Sequence, residues 1–133
     1  MKDGLLLFAA VGFALAGSAR GQSFTGEYAD KNYQNSSAAF HMSIEGSGNN
    51  TQGWFSVGKN NGAGSAPEGQ GTGKINSKGA LEFKFEDSCR NSGTGTITRS
   101  GADIIVSMTT TRKADTSCAA FYGQNFKLKR VKK

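Results

Sequence analysis

Leu81-Glu82-Phe83-Lys84-Phe85-Glu86 is the stretch that decides the fold. Leu81, Phe83 and Phe85 alternate with Glu82, Lys84 and Glu86. An extended chain sends successive side chains to opposite faces, so three apolar groups share one face and three charges the other. A helix would scatter both sets around its axis. The same period of two recurs upstream, where Phe40, Met42 and Ile44 alternate with His41, Ser43 and Glu45. Extending this reading along the chain predicts eight strands, at residues 24–29, 38–45, 51–57, 69–75, 81–86, 93–99, 103–110 and 121–131. No window of useful length carries helical periodicity. Phe40, Met42, Ile44, Phe55, Phe83, Phe85, Phe126 and Leu128 form the predicted inward set. Trp54 adjoins Phe55, which places it either outside, as an interface candidate, or as a plug at one end.

The connectors sort into two kinds. Residues 46–50, 76–79 and 100–101 are short and rich in Gly, Asn and Ser, which tolerate the positive φ of tight turns. Residues 30–37, 58–68, 87–92 and 111–120 are longer. In an up-and-down meander successive connections alternate between the two ends. The three short turns then fall at one end and the four long loops at the other. The predicted fold is a small all-β, antiparallel, eight-stranded up-and-down barrel, which leaves no open strand edge. A two-sheet sandwich is the alternative. Eight strands enclose an interior filled by side chains or holding one small ligand.

Residues 1–21 read as a secretory signal peptide and 22–133 as one all-β domain. Lys2 precedes an apolar run over residues 5–16, shorter than the roughly 20 apolar residues that cross a bilayer. Small residues follow, and cleavage after Ala19 or Gly21 fits them, with Gly21 favoured. Leu15-Ala16-Gly17-Ser18 resembles a lipoprotein box with Ser18 in place of the lipidated Cys, so no membrane anchor is expected. The predicted location is periplasmic or secreted. Gly is abundant, at 19 residues against one Pro, which suits many strands and tight turns. Cys89 and Cys118 are the only cysteines. In an oxidising compartment they read as one disulfide, at the long-loop end.

The chemistry of catalysis is sparse. The single histidine, His41, lies on the polar face of its strand, with no nucleophile elbow around it. Glu82 and Glu86 flank Lys84 on a solvent face, and Glu86 and Asp87 point to opposite faces. One histidine and a paired set of cysteines make no zinc site. Gly62-Ala63-Gly64 and 69–73 lack the helix that a phosphate-binding glycine loop opens. No enzyme activity, cofactor or metal is expected. The net charge is +6, and five positive charges lie in residues 126–133. Lys127 and Lys129 alternate with Phe126 and Leu128, as on the outer face of a last strand. Aromatic interleaving is missing, so nucleic acid is not the expected partner. Contact with a polyanionic envelope glycan is a secondary expectation.

Loops on a rigid barrel are where binding residues concentrate. Residues 58–68 form a long, polar, small-residue loop, which brings in Asn60 and Asn61. Tyr33, Arg90, Asn91, Arg112, Lys113 and Asp115 belong to the same end. These eight are the candidate partner-binding residues, since Tyr and Arg are favoured interface anchors. The stretch Gly93-Thr94-Gly95-Thr96-Ile97, followed by Cys118 and by Phe121-Tyr122-Gly123, resembles the C-terminal patterns of periplasmic lysozyme inhibitors of Gram-negative bacteria. The likeness covers about the last third of the chain. The inhibitors' Ser-Gly-x-x-Tyr signature is absent as such, and the segment at residues 23–28 echoes it only loosely, so no inhibitory residue is carried over. The resemblance implies a small barrel that blocks a muramidase by inserting a loop into its cleft. The expected function is therefore a protein-binding module, an inhibitor or immunity protein against a cell-wall-degrading enzyme such as lysozyme. A lipocalin-like barrel binding a small ligand is the alternative, and an enzyme the least favoured reading.

Overall fold

A computed structural model of the chain describes residues 23–131. The signal peptide expected over residues 1–21 lies outside the described residues. Eight antiparallel strands follow in order: β1 (Gly26–Asn32), β2 (Ala38–Ser47), β3 (Asn50–Lys59), β4 (Glu68–Ile75), β5 (Leu81–Asp87), β6 (Ser92–Ser100), β7 (Asp103–Arg112) and β8 (Phe126–Arg130). Each pairs with its neighbour in sequence, and β8 returns to β1 through Tyr28↔Arg130 and Ala29↔Lys129. The sheet therefore closes into an up-and-down barrel. The sandwich alternative is excluded, because two separate sheets would leave β1 and β8 unpaired.

The alternation that predicted the strands also sets which side chains fill the barrel. On β5, Leu81 and Phe85 are buried and Phe83 is half-buried, while Glu82, Lys84 and Glu86 face solvent. On β2, Phe40, Met42 and Ile44 are buried. Phe83 stands opposite Gly73 on β4 and Gly95 on β6, and Phe85 opposite Gly71 and Gly93. The missing side chains make room for the rings. A Cβ at Gly95 would lie 2.3 Å from Phe83 Cζ, and one at Gly69 would lie 2.4 Å from Phe55 Cζ. The strand glycines are thus shape partners of the aromatic core. The ladder also shifts register between Ser92 and Gly93.

Aromatic groups stop both ends. At the short-turn end Phe24 is fully buried, with the Arg99 guanidinium 4.4 Å from its ring centroid. Tyr28 beside it donates to the Phe24 carbonyl at 2.8 Å, and Arg130 lies 5.1 Å over the Tyr28 ring. At the long-loop end Tyr33 packs edge-on against Phe40 and Phe126, at 5.2 and 5.1 Å between centroids. Tyr122 packs edge-on against Phe55 and Phe85, at 5.7 and 5.1 Å. Trp54 faces outward, 42% exposed.

Several strand ends differ from the sequence reading: β1 runs on to Asn32, β2 to Ser47, β3 to Lys59 and β7 to Arg112, and the starts of β1 and β8 move inward. Residues 24–25 precede β1, because Phe24 turns in to plug the barrel. Residues 121–125 precede β8 and belong to the last long loop. That loop holds a single helical turn, α1 (Thr116–Ala119), which period analysis does not detect at four residues.

Candidate functional site

The four long loops gather at one end, as the meander requires, and side chains fasten them together. The Cys89–Cys118 disulfide joins the β5–β6 loop to the β7–β8 loop. Beside it, Asp87 Oδ1 accepts from the backbone N–H groups of Cys89 and Asn91 at 2.8 and 2.9 Å. Asp87 Oδ2 accepts from Asn91 Nδ2 at 3.2 Å and from the Tyr122 hydroxyl. Asn91 is fully buried and reaches across to the next loop. Its Oδ1 accepts from Ala114 N at 2.7 Å and Asp115 N at 2.9 Å, and its Nδ2 donates to Asp115 O at 3.0 Å. A buried amide is tolerable only when satisfied in this way.

The other two loops are tied to this unit. Ser65 Oγ of the β3–β4 loop lies 2.7 Å from Ser117 Oγ of α1. Gln34 Nε2 of the β1–β2 loop donates to Ala120 O at 2.8 Å, and the Tyr33 hydroxyl donates to the Phe121 carbonyl. Asn60 Nδ2 sits at 3.3, 3.1 and 3.4 Å from the carbonyl oxygens of Lys31, Ser36 and Ala38. Asp115 caps α1, accepting from Ser117 N at 2.9 Å, Cys118 N at 3.3 Å and Ser117 Oγ at 2.6 Å. The Ser117 hydroxyl, then the Cys118 N–H, hold its carboxyl below the usual range. Burial, then the nearby Asp30 charge, pushes the Tyr33 hydroxyl up to about 12. Burial, then the hydrogen bond to Asp87, raises Tyr122 further.

The eight predicted partner-binding residues divide into two groups. Asn60, Asn61, Arg90, Arg112 and Lys113 are exposed at the loop end. Tyr33, at 5% exposure, and Asn91 are buried and serve the framework; Asp115 is half-buried and serves as a cap. The exposed group is therefore a set of asparagines and three cations on a braced surface. Arg90 is held at φ 70°, and Gln34, Asn35 and Ser36 run in succession at φ 54°, 59° and 70°. Left-handed backbone in non-glycine residues costs about 1–2 kcal/mol each. The hydrogen bonds of Gln34 and Asn60 hold this segment in place. Asp87, Tyr122, Gln34 and the Ser65–Ser117 pair were not among the predicted residues. Asp115-Thr116-Ser117 does carry a capping signal, since Asp before a short helix accepts from the N–H groups two and three residues on.

Elsewhere the chemistry is plain. His41 lies on the outer wall, its Nε2 3.3 Å from Glu27 Oε1. Glu82 accepts from Asn76 Nδ2 at 2.8 Å, which braces the β4–β5 turn. The Sγ atoms of Cys89 and Cys118 and the Asp115 carboxylate lie within 4.8 Å of one another. With the two sulfurs bonded to each other, no thiolate is offered to a metal. The space between Met42, Ile44, Phe55, Leu81, Phe85 and Ile97 amounts to about 30 Å³, room for about one water. Searches of protein-family models, characterised proteins and solved structures find no match to this chain.

Proposed function

We propose that the protein is an exported protein-binding module, an inhibitor or immunity protein against a cell-wall-degrading enzyme such as lysozyme, and that it engages its partner through the long-loop end. The observation that carries this reading is the bracing of all four loops into one unit by the disulfide, Asn91, Gln34, Asn60 and the Ser65–Ser117 pair. Ordering interface side chains and loops on binding costs about 0.5–1.5 kcal/mol per immobilised side chain. A surface already ordered avoids much of that cost. Arg90, Arg112 and Lys113 supply the charge. Glycosidases place a pair of carboxylates in their clefts, and a rigid cationic loop end complements such a cleft.

The test is to incubate the protein with a panel of muramidases and peptidoglycan amidases, reading residual activity and complex formation. One enzyme should be inhibited through a stoichiometric complex. The triple variant Arg90→Glu, Arg112→Glu, Lys113→Glu should weaken that complex at least tenfold. Undiminished activity and no complex across the panel would overturn the proposal. The small-ligand alternative requires an internal cavity, and a void the size of a single water lends it no support.

A further inference from the structure

The outer wall of β3 to β7 carries two straight rows of side chains. Register aligns Gln52, Thr72, Lys84, Thr94 and Thr109 side by side across five strands. The adjacent row is Trp54, Gln70, Glu86 and Ser92, and it ends on Arg112 of β7. Neighbouring strands lie about 4.8 Å apart, so the longer row extends about 19 Å. An open groove of about 630 Å³ runs over this wall, next to Trp54. The residues Gln52, Trp54, Gln70, Thr72 and Thr94 are exposed, and none of their side chains makes a hydrogen bond among the described residues. The loop end differs, because there most polar groups are spent on the framework.

We infer that this wall binds an extended, uncharged glycan chain, with Trp54 as the stacking platform. The chemistry selects that occupant. A pyranose ring presents an apolar, slightly positive C–H face, which suits the negative face of an indole. Its rim of hydroxyl and acetamido groups needs both donors and acceptors, and glutamine amides and threonine hydroxyls supply both. The groove lining holds one cation, Lys84, against one anion, Glu86, so its charge balances, with Arg112 standing outside it at the end of the row. That balance disfavours a polyanion. The row of hydrogen-bonding groups at strand spacing fits a linear polymer better than a compact ligand. This site meets the loop end only at Ser92 and Arg112, and it does not depend on the inhibitor reading.

Trp54 is the only tryptophan, so its emission reports on this site alone. The full chain, expressed with its own leader and purified after export, is titrated with chitohexaose and with cellohexaose, with heparin as the polyanion arm. Binding of either neutral oligosaccharide should shift Trp54 emission to the blue, with calorimetry giving the affinity. Tighter binding of chitohexaose would identify acetamido groups as the feature read by Gln52 and Gln70; equal binding would identify the shared ring and hydroxyls. Trp54→Ala should weaken binding at least tenfold and Gln70→Ala several-fold, both measured by calorimetry. Near-UV circular dichroism establishes that each variant is folded. Arg90→Glu should leave the affinity unchanged. The inference is overturned by any of three results: no binding of either neutral chain at millimolar concentration, binding of heparin alone, or an emission shift that follows protein concentration without sugar, which would mark a self-association face.

Discussion

Asn91 and Asp115 lie 24 residues apart and join their two loops by a reciprocal pair of hydrogen bonds. Asn91 Nδ2 donates to the Asp115 carbonyl at 3.0 Å, and the Asp115 N–H donates to Asn91 Oδ1 at 2.9 Å. Together with Asp87 they form the polar half of a clamp whose covalent half is the disulfide. Replacing Asn91 by Ala would leave the N–H groups of Ala114 and Asp115 without their acceptor. Unsatisfied buried groups cost about 1–3 kcal/mol each. Asn91→Ala should therefore lower unfolding free energy by about 2–4 kcal/mol in urea titrations, whereas the exposed Arg90→Ala should change it by less than about 0.5 kcal/mol. Equal effects would remove Asn91 from the clamp.

The disulfide closes a 29-residue separation. The chain-entropy argument assigns such a loop about 3.5 kcal/mol. Unfolding with and without reductant, or of the double variant Cys89→Ala, Cys118→Ala, should reveal a loss of that order. The hydrogen bonds of Asn91 bridge the same two loops. A double-mutant cycle between Cys118→Ala and Asn91→Ala should accordingly be non-additive.

Alkaline pH should loosen the long-loop end first. The Tyr33 pKa is raised to about 12 in the folded state by burial, against about 10 unfolded. A raised folded pKa gives stability that is complete below pH 10 and is lost as pH climbs from 10 through 12. Tyr122, raised by burial and by Asp87, adds to the same trend. Stability measured across pH 9 to 12 should fall, and Tyr33→Phe should flatten the slope while lowering stability at pH 8 through loss of the bond to Phe121 O. At acid pH Asp115 works in the opposite sense. Its depressed carboxyl stabilises the fold above the usual carboxylate range, and that contribution fades as the group protonates.

Glycine positions should separate cleanly by what faces them. A methyl at Gly95 would meet Phe83 Cζ at 2.3 Å and the Ser107 carbonyl oxygen at 2.6 Å, and backbone cannot swing aside. Gly95→Ala should cost about 1–3 kcal/mol by overpacking. At Gly123 nothing lies within 4 Å and φ is not positive. Gly123→Ala should be close to neutral, and thermal melts of the two variants would show the contrast.

The strand pattern was legible because burial on one face of a sheet imposes a period of two on the sequence itself. Leu81 to Glu86 shows this most plainly, and all eight strands fall close to their predicted positions. The end holding the cysteines was also legible, since alternating connections are a property of chain order. The roles of Tyr33 and Asn91 were not. Both are polar-tipped loop residues, and composition alone places such residues in solvent. Asn91 is buried because the β7–β8 loop brings the Ala114 and Asp115 N–H groups against it. Tyr33 is buried because Phe40 and Phe126 converge on it from strands far apart in sequence. The core glycines were visible as glycines, yet only strand register sets Gly73 and Gly95 on either side of Phe83. Trp54 shows the same division. Its neighbour Phe55 left two places open, outside or as a plug at one end; the structure puts it outside, and the row it forms with Gln70 exists only across paired strands. By itself, then, the sequence determined periodicity, turn placement and the cysteine pair, because these depend on near neighbours along the chain. Closure of the barrel, the braced loop end and the polar rows on the wall depend on contacts between residues distant in sequence, and only the tertiary structure decided them.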